Sequence, residues 1–305
     1  MAYLNDGSTT PYIEVLDLEA RAVVGKIALG TGWELVAMNL SPTGKTLWAT
    51  SSFPSVLFEI DTETNTVRGS VAIPDAGGCA PGCGSLSLRV SPLGNRVFIV
   101  GNANSVTVVD AASRSIVGTI PLPAAGNWDI AFSPGGGRAY VINTNNATMT
   151  VIDLASNTAV RTFGGTGGDG AFAVDSSTGL GYMARSHTLD FAVIDFDAGT
   201  VTSLLALPGP VPVRGLKSAW HQGTRRTYVA NYSTLYAIDV DTRTITATIP
   251  IAGCDEVHNM AFNRSGTLLH AACGSIVATV DTAANAVVGS PISIDQYAYR
   301  IAVTQ

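Results

Sequence analysis

Only 13% of the 305 residues are charged, and the whole chain holds four histidines and three lysines, so few side chains are available for chemistry. His258 lies beside Asn259 and two residues after Glu256. An imidazole titrates nearest neutrality, which makes His258 the first candidate for a general acid or base; the alternative role is a hydrogen-bonded histidine at a rim. Lys217 sits in Gly-Leu-Lys-Ser-Ala-Trp. A lysine walled in by apolar groups has a lowered pKa and can act as base or nucleophile. The competing reading is an ion pair with Asp169 or Asp129. Asp129 and Arg300 complete the catalytic candidates. Trp33, Glu34, Trp128, Asp169, His187, Arg214, Glu256, Asn259, Tyr297 and Tyr299 are the ligand-binding candidates, a mixture of charge and aromatic surface suited to a polar ring or an acid. Glu34, Asp129, Asn259, Glu256 and Asn127 are oxygen donors of the kind Ca²⁺ takes, so a central Ca²⁺ is entertained, and the cofactor is otherwise unassigned. No Ser-His-Asp set follows from order alone. Gly164-Gly-Thr-Gly-Gly168 has no helix after it and is not a phosphate loop.

These residues are far apart in sequence, so a fold must gather them. One phrase recurs: an apolar pair, then Asp, then a polar turn, then an alternating strand. It appears at Asp17, Asp61, Asp110, Asp153, Asp195, Asp239 and Asp281, spaced 44, 49, 43, 42, 44 and 42 residues apart. The distance from Asp281 round through the termini to Asp17 is 41 residues, so the chain closes as seven nearly equal units. Within a unit all runs are short, rich in Val, Ile and Thr, and bounded by Gly, Pro, Asn or Ser. Ile130-Ala-Phe-Ser, Ala139-Tyr-Val-Ile, Thr148-Met-Thr-Val-Ile-Asp153 and Thr158-Ala-Val-Arg-Thr-Phe163 are four strands of one such unit. Four short strands every forty-odd residues predict a blade of a propeller. The fold class is therefore all-β: a single domain over residues 1–305, a seven-bladed β-propeller of four-stranded antiparallel blades. Tyr299–Thr304 reads as a first strand, Ala2–Asn5 as a second, Ile13–Asp17 and Ala22–Leu29 as the third and fourth. One blade is thus closed by pairing N- and C-terminal strands.

Phe132-Ser-Pro-Gly, Ala139-Tyr-Val-Ile-Asn143 and Thr150-Val-Ile-Asp153, with Tyr228-Val-Ala-Asn231 and Asn95-Arg-Val-Phe-Ile-Val100, resemble the YVTN β-propeller repeat. The resemblance runs along essentially the whole chain. It implies a surface-layer or secreted seven-bladed propeller; related propellers include lactonases, lyases and redox-enzyme subunits. The Gly-His and Trp-Asp pairs of WD40 repeats are absent. In the family resembled, the residues leading into the innermost strand usually read Pro-x-Gly. Here, with blades aligned on the repeated Asp, the Gly position holds Arg300, Ala37, Ser87, Asp129, Ala171, Lys217 and Asn259, and the residue before it is Tyr299, Val36, Leu86, Trp128, Gly170, Leu216 or His258. One mouth of the channel should therefore collect the charge and aromatics. Its expected partner is a small polar or aromatic molecule, a glycan or a protein. The alternative is a propeller enzyme, a lyase, cyclase or lactone hydrolase, with acid/base residues at that mouth. A redox subunit would need a partner, since no Cys-x-x-Cys-His haem motif is present.

The net charge of −6 argues against broad nucleic-acid binding, and no apolar run is long enough for a transmembrane helix. A monomer is expected. Of the four cysteines, Cys254 and Cys273 should reach the same rim and pair, and Cys79 with Cys83 would be the second pair. Loop cysteines and scarce lysine lean towards an extracytoplasmic location, secreted, periplasmic or at the cell surface, with a cytoplasmic one as alternative; no signal peptide is read at the start of the chain. Asn146, Asn231 and Asn263 match glycosylation acceptors.

Overall fold

The computed structural model describes residues 1–5, 12–30, 35–52, 55–73, 87–167, 172–212, 215–221 and 223–304. Seven four-stranded antiparallel sheets make up the ring. The closing blade orders Arg300–Val303, Ala2–Asn5, Tyr12–Asp17 and Ala22–Ala28 from inside outwards. Ala2 faces Val303 and Asn5 faces Arg300, so the two ends of the chain are neighbouring strands. The second blade begins with Leu35–Leu40, the third with Ser87–Val90, the fourth with Asn127–Phe132, the fifth with Phe172–Val174, the sixth with Lys217–His221 and the seventh with Asn259–Phe262. These innermost strands touch one another in a closed cycle around the axis.

The repeated aspartate is explained by the turn that follows it. In every blade its Oδ1 accepts the backbone N–H groups two and three residues on, as at Asp153 from Ala155 and Ser156, 3.1 and 2.8 Å. Those amides stabilise the carboxylate and hold Asp17, Asp61, Asp110, Asp153 and Asp239 below the usual carboxyl pKa. The fourth residue on always has positive φ: Arg21, Asn65, Arg114, Asn157, Gly199, Arg243 and Asn285. A short polar turn with one left-handed residue is what connects the third strand to the fourth.

Packing joins the blades. Each main apolar cluster draws its residues from two adjacent sheets; Tyr3, Ile13, Leu47 and Phe58 fill the joint between closing and second blades. Ala2, Leu4 and Leu16 meet Ala272, Val277 and Ile292 of the seventh blade. The seam is thus packed like the other joints. Second strands carry an aromatic at one register position, and it reaches into the next blade. Tyr3 donates to Asn65 Oδ1 at 2.9 Å and Tyr228 to Asn285 Oδ1 at 2.6 Å, each ending on the left-handed residue of the next turn. Tyr140 stacks on Phe196 and Tyr182 on Trp220. His270 holds this position in the seventh blade, buried and sharing a bond with Thr279.

The seventh blade departs from the sequence reading in one respect. Leu268–Asp281 runs as one continuous strand segment. Yet His270 Nδ1 lies 3.1 Å from Thr279 Oγ1, whereas nine residues of straight strand span about 30 Å. The segment therefore folds back, at Gly274, whose φ is +61°. The outer strand is Ile292–Ala298. Tyr297 consequently ends an outer strand; the innermost strand of the closing blade starts only at Arg300.

Candidate functional site

Two kinds of connection share one end of the ring: those from an outer strand to the next inner strand, and those between second and third strands. Backbone bonds tie them together, for example Asn127 N–H to Gly101 O at 3.2 Å and Val257 N–H to Tyr232 O at 2.9 Å. The asparagines of the repeated Tyr-x-x-Asn phrase do the same. Asn143 Nδ2 donates to Ala125 O at 2.7 Å and Asn231 Nδ2 to Pro210 O at 3.0 Å. They hold the loop that leads into the site, and Asn231, buried with its amide engaged, has no room for a glycan.

Strand register tests the alignment of the ring position. Arg300 pairs with Asn5, Ala37 with Thr50, Ser87 with Val100, Asp129 with Ile142, Lys217 with Ala230 and Asn259 with Ala272. All six therefore stand at one level of the inner strands. Bulges at Val36 and Trp128 maintain this level in the second and fourth blades. The extra residue re-aims its neighbours. It leaves Trp128 41% exposed and turns Asp129 into the ring, 4% exposed.

At this level the fourth and third blades interlock. Asp129 Oδ1 accepts Ser87 Oγ at 2.8 Å and the Ile130 N–H at 2.9 Å; Oδ2 accepts Arg89 Nη2 at 3.0 Å. Arg300 lies within electrostatic range of Asp129, Arg89 and Tyr299. Removal from water pushes its pKa below the ordinary arginine value; Asp129 opposes this and Arg89 adds to it. Asn259 Oδ1 accepts the Ile301 N–H at 3.4 Å, tying the seventh blade to the closing one.

A second group is aromatic. His258 is 2% exposed, while Tyr297 is 47% exposed. His258 Nε2 and the Tyr297 hydroxyl share a bond of 2.7 Å. The imidazole also stacks on Tyr299, centroids 4.7 Å apart, and Tyr297 stands 5.8 Å from Tyr299. Cys254 and Cys273 lie at disulfide distance, Cα–Cα 5.4 Å, and pin the loop that carries Glu256 and His258. A Cβ on Gly274 would come within 3.0 Å of the Tyr297 ring, so this turn is packed against the cluster.

The structure thus brings together Asp129, Arg300 and, at the same level, Lys217 and Asn259; it separately gathers His258, Tyr297 and Tyr299. Glu256 is half-buried in the loop before His258, and His187 is exposed on a connection between second and third strands. Trp33, Glu34, Asp169 and Arg214 lie outside the described residues, as do Cys79, Cys83 and Ala171. His221 lies by Thr224, in the turn at the other end of the ring. Sequence reasoning missed Ser87 as a functional partner and missed Arg89 altogether. Arg89 is two residues beyond Ser87 on the same inner strand, and an arginine at that inward register was the available signal.

Three of the oxygen donors considered for Ca²⁺ are engaged within the protein, and Glu34 lies outside the described residues. Asp129 is already matched with Arg89, Asn127 donates its amide to Ala103 O and Ala124 O, and Asn259 accepts Ile301 N–H. Among the described residues no group of three or more His, Cys, Asp or Glu converges.

No family model matches the chain, and no curated protein matches it. A crystal structure of a functionally unknown protein from Desulfotomaculum acetoxidans is similar, with a TM-score of 0.80. The two share 15% identity over 99% of this chain and 98% of that one. At this identity the likeness speaks for the fold.

Proposed function

We propose that the protein is a ligand-binding β-propeller whose site is the channel mouth formed by the outer-to-inner connections. One contrast carries this reading. The other end of the ring is built from turns that repeat, with the same aspartate bonds and the same left-handed residue in each blade. The mouth repeats its backbone level but not its side chains: Arg300, Ala37, Ser87, Asp129, Lys217 and Asn259 are all different. A single asymmetric ligand needs such a break in sevenfold similarity, and exposed Trp128 and Tyr297 supply surface for a ring. YVTN-type kinship, secretion and the cysteine pair fit together as an extracytoplasmic binding protein acting as one domain.

The test is a thermal-shift screen of sugars, sugar acids and aromatic acids against the parent and against Trp128→Ala, Lys217→Met and His258→Ala, with Asn157→Ala as the control at the other end. Each mouth substitution is expected to weaken a true ligand by about tenfold, roughly 1.4 kcal/mol. Ligands insensitive to all three but lost in the control would place the site at the wrong end.

A second reading rests on the His258–Tyr297 pair. A phenol hydrogen-bonded to an imidazole at 2.7 Å can pass a proton to or from a substrate, which keeps a lyase, cyclase or lactone hydrolase in view. Turnover abolished in both His258→Gln and Tyr297→Phe, with binding retained, would favour it.

A further inference from the structure

Arg300 presents an unbalanced charge. Among the described residues its guanidinium donates one hydrogen bond, from Nη1 to the carbonyl of its own neighbour Tyr299, long at 3.4 Å. A guanidinium carries five N–H donors in a planar fork, so most of its capacity is left over. The acid within its range is Asp129, but Asp129 is spent. Oδ1 already takes Ser87 and Ile130, and Oδ2 takes Arg89. Arg89 in turn adds a second positive charge nearby. Charges taken partly out of water need a counter-charge or hydrogen-bond acceptors. Among the described residues Arg300 has only that one long carbonyl contact and a share in a carboxylate already paired with Arg89. On its strand Arg300 stands at the same level of the mouth as Lys217 and Asn259, directly after Tyr299, whose ring stacks with His258.

We infer that Arg300 is the anion-recognition group of this mouth, and that the ligand is a small ring compound bearing an oxyanion head, carboxylate or phosphate, with its ring against the Tyr297–Tyr299 wall. This rests on the mouth being the binding site and adds the chemical class of the ligand. The fork geometry of arginine suits two oxygens of one head group. Arg89 does not compete for the same role, since its Nη2 is held by Asp129 at 3.0 Å. It acts instead as a fixed positive charge beside the head group.

The probes are benzoate, phenyl phosphate and uncharged benzyl alcohol, titrated calorimetrically into the parent, Arg300→Gln and Lys45→Gln. Lys45 pairs with Glu63 at the far end of the ring and controls for non-specific charge. At least one of the two anions is expected to bind the parent about tenfold or more tightly than benzyl alcohol, to lose about tenfold in Arg300→Gln, and to be unchanged in Lys45→Gln. Which of the two wins tells carboxylate from phosphate. A readout without ligand accompanies this. Removing an unmatched charge should leave the melting temperature of Arg300→Gln at or above the parent's, and the winning anion should raise the parent's melting temperature but not the variant's. The proposal is overturned if benzyl alcohol binds as well as both anions, if Arg300→Gln binds them like the parent, if neither anion binds, or if Arg300→Gln melts well below the parent. A neutral ligand that depends on Trp128 and His258 but not on Arg300 would overturn the anion class while leaving the mouth standing.

Discussion

His270 shows how one register position can be filled by different chemistry. Its counterparts Tyr3 and Tyr228 donate to the next blade's turn, whereas His270 bonds Thr279 within its own blade. Burial pushes its pKa down to about 4, with the N-terminal amine and Arg21 acting in the same direction. The folded state therefore holds a neutral imidazole where the unfolded chain, near 6.5, takes up a proton. Between pH 6.5 and 4 the unfolded state binds more protons, so stability falls as pH falls. Going from pH 7 to pH 5 should cost on the order of 2 kcal/mol through this residue alone. Urea melts at both pH values check this: His270→Phe should show a distinctly smaller drop than the parent, and an equal drop would mean the imidazole is already protonated in the fold. The histidine was legible as packed from its alignment with Tyr140. The Tyr297–His258 bond was not, because residues 39 apart meet only when the outer strand of the seventh blade returns to the rim beside the loop that enters the same blade's inner strand.

At the scale of elements, the turn after each repeated aspartate is the unit most fully specified by sequence. Asp153→Ala removes the acceptor of two backbone amides and a serine hydroxyl. The expected loss is about 1–2 kcal/mol, read as a lower urea midpoint with unchanged slope, and Asp153→Asn should recover part of it. Outer strands show a second device. The third strand pairs with a bulged partner in six blades, and the bulged residue is Val24, Arg68, Val117, Val160, Leu204 or Thr246. Val24, Val117 and Val160 are exposed for this reason, 52%, 53% and 56%. A bulge twists an otherwise open edge away from pairing with another chain. The Cys254–Cys273 pair closes a separation of 19 residues. Cys254→Ser with Cys273→Ser should lower stability by about 3 kcal/mol. It should also loosen the His258 loop, seen as faster amide exchange at 255–258. Unchanged exchange there would show that backbone bonds alone fix the loop.

For the whole molecule, closure is the decisive feature. Arg300–Val303 supplies the inner strand of a blade otherwise made by the first residues of the chain. Its side chains Ile301 and Val303 pack with Leu4 and Leu16 against the seventh blade. Deleting 300–305 strips that strand and opens an unpaired edge next to the axis. The truncated chain is expected to aggregate, or to melt far below the parent. Full-length protein should unfold in one calorimetric transition, since the joints form an unbroken ring; a truncated chain melting like the parent would show that the seam carries no stability.

By itself the sequence determined what is local and periodic. Strand alternation, the aspartate turns and the spacing that brings the count to seven are written in neighbouring residues, and closure follows because the remainder at the two ends completes one unit. The level of the mouth residues was also readable, since register propagates from the repeated aspartate. Tertiary structure alone decided which of those residues meet. Asp129 goes to Arg89 and Ser87 of the preceding blade, and Arg300 is left facing them from the closing blade. Pairing across an axis depends on how far each side chain reaches and on bulges such as that at Trp128, and neither is encoded in the spacing of the repeat.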